Sequence, residues 1–153
     1  MLRLILVLLL CFYNFSASAA GIDIDKACEE RDEQKRALLS KMSTSISEAF
    51  LAGQCTGYKK TYYRSSYNAH SFEELSMACS EFVEKKEALL PFNMSTTLKE
   101  AMYSGMCIGA IYKVAESCDV KEQYIQYLVI AKGMQHMNET QALVYISAAL
   151  NCH

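Results

Sequence analysis

Apolar residues recur along the chain in three- and four-residue steps. Met77, Phe82, Leu89 and Leu90 keep that rhythm, and so do Leu143, Ile146, Ala149 and Leu150. Side chains spaced this way fall on one face of an α-helix. No run of comparable length alternates as a strand would. Capping signals punctuate the pattern. Ser45-x-x-Glu48 and Thr97-x-x-Glu100 are capping boxes, in which a hydroxyl and a carboxylate satisfy amides left unpaired in the first turn. Ser71-x-x-Glu74 and Asn138-x-x-Gln141 have the same form. Asp119 can cap a helix opening at Val120, and Pro91 ends the third helix. The spacing predicts six helices, over 23–40, 45–65, 72–90, 97–116, 120–132 and 138–150.

The first apolar stretch is of another kind. Leu4 to Tyr13 is a largely apolar run behind the lone charge Arg3, and small residues follow, with Ala17-Ser18-Ala19 as an A-x-A cleavage site. That order reads as a secretory signal peptide over 1–19. The run is short of the ~20 apolar residues that span a bilayer. Leu10 stands before Cys11 where a lipobox needs a small residue, which disfavours a lipoprotein. No later run approaches membrane length, so the mature chain is expected to be soluble and not membrane-bound.

The mature chain repeats itself. Cys28 to Leu39 aligns with Cys79 to Leu90 at an offset of 51, and Met42 to Gly57 aligns with Met94 to Gly109 at an offset of 52. Fifteen of the 28 aligned positions are identical, which marks a tandem duplication of a helical hairpin. The organisation read from this is a repeat over 20–70 and a C-terminal helical domain over 71–153. Each repeat sets small residues at i, i+4 and i+8: Ala49, Gly53, Gly57 and Ala101, Gly105, Gly109. Each internal glycine costs ~1 kcal/mol of helix propensity relative to alanine. Close approach by another helix is the compensating gain. Either an intramolecular crossing or a homodimer seam would supply it.

Cleavage removes Cys11 and leaves Cys28, Cys55, Cys79, Cys107, Cys118 and Cys152. An even number in an exported chain points to disulfides, and no pair has C-x-x-C spacing. Six cysteines allow fifteen pairings. The one that follows the duplication is Cys28–Cys55 and Cys79–Cys107, one per hairpin, with Cys118–Cys152 at one end of the bundle. Each bridge closes a loop of about 30 residues, worth ~3 kcal/mol in the chain-entropy model. The expected fold is an all-α, disulfide-stapled bundle of about six helices.

Composition narrows the function. The chain has 153 residues, 52% hydrophobic and 21% charged, which excludes a disordered tail. Its net charge of −2 becomes −3 once Arg3 is removed, against the positive excess a nucleic-acid binder needs. His70, His136 and His153 have no ligand-spaced partner, so no metal or cofactor is expected. There is no G-x-S-x-G, Walker loop or G-x-G-x-x-G. The carboxylates of 29–33, 73–74 and 81–87 are interleaved with cations, as on solvated helix faces. The reading is a non-enzyme. One surface stands out: Tyr58 to Tyr67 holds four tyrosines and three cations, the chemistry of interface hot spots. Lys60, Tyr63, Arg64 and Tyr67 are expected on one helical face, turned to an anionic partner. The plainer reading packs Tyr58 and Tyr62 inward and leaves the cations in solvent.

The second half, from about Ser71 to Cys152, resembles the Rap/Tai family of type VI secretion immunity proteins. The likeness is carried by Leu75-Ser76-Met77-Ala78-Cys79, Cys107-Ile108-Gly109-Ala110-Ile111, Cys118, Tyr124-Ile125-Gln126-Tyr127-Leu128, Ala142-Leu143-Val144 and Ala148-Ala149-Leu150-Asn151-Cys152. Ala110 replaces the family's tyrosine, which Tyr58 supplies in the first repeat. The resemblance implies a periplasmic, helical, disulfide-bonded protein. It also implies that the protein binds a toxic effector, often a cell-wall amidase, and blocks its active site. The alternative is a small periplasmic stress chaperone, which would need acid-triggered exposure of apolar surface. Asn93-Met94-Ser95 and Asn138-Glu139-Thr140 would be glycosylation acceptors in a eukaryotic secretory pathway.

Overall fold

A computed structural model of the chain describes residues 21–37, 44–88 and 97–152. The signal segment, Pro91 and His153 lie outside the described residues, as do the predicted helix ends at 38–40 and 89–90. Among the described residues the fold is all-α. The helices are α1 (Ile24–Ala37), α2 (Ile46–Lys60), α3 (Leu75–Glu87), α4 (Leu98–Ser117), α5 (Tyr127–Gly133) and α6 (Glu139–Ala149). A 3-10 turn at Glu122–Tyr124 precedes α5.

Helix starts follow local chemistry. Ser45, Thr97 and Asn138 each accept from the backbone three residues on, while Glu48, Glu100 and Gln141 return the bond to the cap. The Asp23 carboxylate accepts the Lys26 N–H at 3.0 Å and opens α1.

Three expectations about boundaries are corrected. α2 stops at Lys60 and not near 65. Thr61 turns extended, Tyr62 exchanges two backbone bonds with His70 (2.7 and 2.9 Å), and the Thr61 hydroxyl meets that of Ser71 at 2.9 Å. The backbone groups that would have continued the helix are spent on these partners. α3 begins at Leu75 and not at 72. The Ser71 hydroxyl meets that of Thr61 and its N–H donates to the Glu139 carboxylate, so Ser71 caps nothing, and Phe72 starts a tight turn closed by Leu75 at 3.1 Å. Asp119 does not open a helix but closes α4. It sits at φ 56°, its N–H reaches Glu116 (3.1 Å), and the Val120 N–H reaches Ala115 (2.9 Å), a Schellman ending. The predicted helix 120–132 is therefore split into the 3-10 turn and α5. α6 ends the same way, with Asn151 at φ 54° and the Cys152 N–H on the Ser147 carbonyl at 2.9 Å.

α4 is the central element, about 30 Å long and buried almost continuously from Ser104 to Ile111. α2 crosses it on one side and α3 lies along another. α5 and α6 close the core over Leu75, Ile111, Leu143 and Ile146, all fully buried. The Ser76 hydroxyl donates to the Met134 carbonyl at 2.7 Å and ties α3 to the end of α5. Among the described residues α1 packs chiefly on α2 and buries little beyond Ala27.

The three disulfides pair as the duplication implies. Cys28–Cys55 pins α1 to α2, Cys79–Cys107 pins α3 to α4, and Cys118–Cys152 joins the two Schellman endings. Their Cα atoms stand 4.8, 4.9 and 5.2 Å apart, within the range a disulfide spans. Three disulfides belong to an oxidising compartment such as the periplasm or the extracellular space. No described helix is long and apolar enough to cross a membrane.

Candidate binding surfaces

The six small residues meet at one crossing. A Cβ at Gly53 or Gly57 would strike the carbonyl oxygens of Met102 and Met106, and one at Gly105 or Gly109 would strike those of Phe50 and Gln54. Phe50 and Gln54 are the duplication equivalents of Met102 and Met106, so the contact is reciprocal, as at an isologous interface. Ala49 and Ala101 are buried beside it. The stripe is thus used up between α2 and α4 of a single chain, which leaves it no surface for a homodimer seam.

The expected tyrosine–cation face does not form. Lys60 is the last residue of α2, and Tyr63, Arg64 and Tyr67 lie beyond it in a loop, 61–71. Their side chains separate because the loop has its own braces. The Tyr63 hydroxyl is hydrogen-bonded to the Ser147 hydroxyl on α6, and its ring is packed on the core. Tyr62 stacks on His70, ring centroids 5.1 Å apart. Asn68 N–H closes a turn on Ser65 at 3.0 Å. Tyr67 is left 96% exposed, with Arg64 exposed nearby in sequence. Tyr63 is a structural anchor, whereas Arg64 and Tyr67 are presented by a loop fixed at both ends.

Tyr58 is also bound inward. Its hydroxyl donates to Glu116 at 2.7 Å and accepts from Lys113 at 3.2 Å, while the Lys113 ammonium lies 4.5 Å from the Tyr58 ring centre. Partial burial and the bond to Glu116 push the Tyr58 phenol up. Burial alone would raise the Glu116 carboxyl, but hydrogen bonds from Lys113 and Tyr58 outweigh it and hold that group below the usual range. This knot joins α2 to the end of α4.

Two clefts flank the crossing. The first, of about 430 Å³, lies between α1 and α2 and is lined by Arg31, Lys35, Thr56, Lys59, Lys60 and Met102 among others. The hydrogen bond from Arg31 holds the exposed Asp32 carboxyl below its ordinary value. The second, of about 850 Å³, lies between α3, α4 and the 121–128 segment, and Phe50, Phe82, Lys86 and Ile108 are in its wall. These four are the duplication equivalents of Met102, Arg31, Lys35 and Thr56. One backbone frame therefore makes both clefts, cationic in the first repeat and apolar in the second. Sequence reasoning missed them because it attended to the identities between repeats, while the signal lay in the differences.

Compared with known proteins, the chain matches no family model, no curated protein and no solved structure. Among the described residues, no group of three or more His, Cys, Asp or Glu side chains gathers as a metal site would.

Proposed function

We propose that the protein is a periplasmic immunity protein, exported by its signal peptide, that neutralises a toxic effector by binding it stoichiometrically. A cell-wall-degrading amidase delivered by type VI secretion is the toxin class implied by the family resemblance over 71–152. The supporting observation is the braced loop. Tyr67, 96% exposed, stands on a segment fixed by Thr61–Ser71, Tyr62–His70 and Tyr63–Ser147, with Arg64 and the end of α2 beside it in sequence. An aromatic ring held out on a rigid loop loses little entropy on binding, and Tyr and Arg are the residues in which hot spots are richest. Three bridges argue against the opening that a client-capturing chaperone needs.

The test is co-expression with the product of the adjacent gene, directed to the periplasm. Wild-type protein is expected to restore growth and to form a one-to-one complex, and Arg64→Ala with Tyr67→Ala to weaken that complex at least about tenfold. A harmless neighbouring product, or undiminished killing, would overturn the reading. Protection of acid-denatured clients from aggregation would favour the chaperone instead.

A further inference from the structure

The apolar cleft of the second repeat is built like a ligand site. Its volume of about 850 Å³ falls within the ~300–1,000 Å³ of small-molecule pockets. Its floor is core: Phe82, Ile108 and Ile125 line it although each is less than a tenth exposed. Phe50 and Leu128 add apolar wall, and Ile22 is held in place by its N–H on the Glu122 carboxylate. The equivalent positions in the first repeat show that this apolar lining was not imposed by the backbone. Arg31 and Thr56 stand there where Phe82 and Ile108 stand here, yet the cation Lys35 is kept as Lys86. Lys86 lies against the Phe82 ring, 5.9 Å from its centre, and Lys121 lines the same cleft. Both lysines are exposed, and neither forms an ion pair among the described residues. The Tyr127 hydroxyl in the same wall is buried with no hydrogen-bond partner among the described residues, and desolvation pushes its phenol up.

The geometry points to a binding site for a long-chain carboxylate, its hydrocarbon against Phe50, Phe82, Ile108, Ile125 and Leu128 and its head group held by Lys86 and Lys121. An apolar chain fills a floor continuous with the core, and an anionic head group complements the two exposed lysines of the lining, whose carboxylate, Glu122, is already engaged by the Ile22 N–H. The site lies apart from the 61–71 loop and does not depend on the toxin reading.

The oxidised protein is titrated calorimetrically with dodecanoate, with dodecanol as the uncharged control. One saturable site is expected, with dodecanol at least about tenfold weaker. Lys86→Glu with Lys121→Glu is expected to weaken dodecanoate by a similar factor, and Lys35→Glu with Lys59→Glu in the first cleft to leave it unchanged. Failure of the wild type to saturate below the micelle concentration overturns the site. Equal binding of dodecanol, or equal loss in the Lys35/Lys59 variant, does so as well. Photolabelling of the wild type with a diazirine fatty acid needs no variant to fold. Label is expected on 82–86 and 121–128, and label confined elsewhere overturns the assignment.

Discussion

The two hairpins share a frame and differ in what lies outside it. In the second, Leu75, Phe82 and Val83 of α3 are buried, and α5 and α6 pack over them. At the equivalent places in α1 stand Ile24, Arg31 and Asp32, all at least partly exposed, and among the described residues α1 packs chiefly on α2. The crossing glycines and the inter-helix bridge are the same in both. The outer helix of a bare hairpin must carry charge where its twin carries core. A duplicated unit thus keeps its packing seam while its outer face follows whatever docks there.

Equivalent substitutions test this directly. Phe82→Ala is expected to cost roughly 3–5 kcal/mol in denaturant unfolding, as large core truncations do. Arg31→Ala at the matching position should stay within about 0.5 kcal/mol. Comparable losses at both would mean that α1 is covered after all.

Removing either hairpin bridge by paired Cys→Ala changes should come next. The two loops span 27 and 28 residues, so each loses about 3–4 kcal/mol of chain-entropy stabilisation. Near-equal drops in unfolding midpoint are expected. A large inequality would show that the native surroundings of the bridges, and not the closed loops, set their value.

The glycines probe the seam itself. Gly53→Ala and Gly105→Ala push a methyl into a backbone carbonyl that cannot step aside. Each should destabilise by roughly 1–3 kcal/mol despite the ~1 kcal/mol of helix propensity gained. Because the contacts are reciprocal, the two losses should agree. A stabilised variant would break the crossing as described.

The smallest effects separate the two tyrosines of the connecting loop. Tyr63→Phe deletes the bond to Ser147 and should cost about 1 kcal/mol. Tyr67→Ala should leave the unfolding curve unchanged, since the side chain touches little. The reverse order would exchange their roles as anchor and contact.

Much of this fold was legible along the chain. Three capping boxes stand where Ser45, Thr97 and Asn138 predict them, because a cap needs only residues three apart. The bridges could be paired by matching Cys28 and Cys55 to Cys79 and Cys107, since duplicated hairpins place equivalent atoms alike. The exposure of the 58–67 segment was legible only in part. Lys60, Tyr63, Arg64 and Tyr67 were read as one helical face turned to a partner; Arg64 and Tyr67 are exposed, but Tyr63 was assigned to their face by extending α2 too far. Nothing near Lys60 in sequence announces that Tyr62 will find His70, or that Ser71 will give its N–H to Glu139 from α6.

Sequence by itself determined the helical class, the repeat, three of the helix caps and the sulfur pairs, because each depends on spacing within a turn or between two copies of one segment. Tertiary structure alone decided where α2 ends, that Asp119 closes a helix instead of opening one, and that the positions differing between the repeats line two clefts. Those outcomes turn on which polar group a backbone amide meets first, and on which helices settle over a face, so they exist only once distant segments have come together.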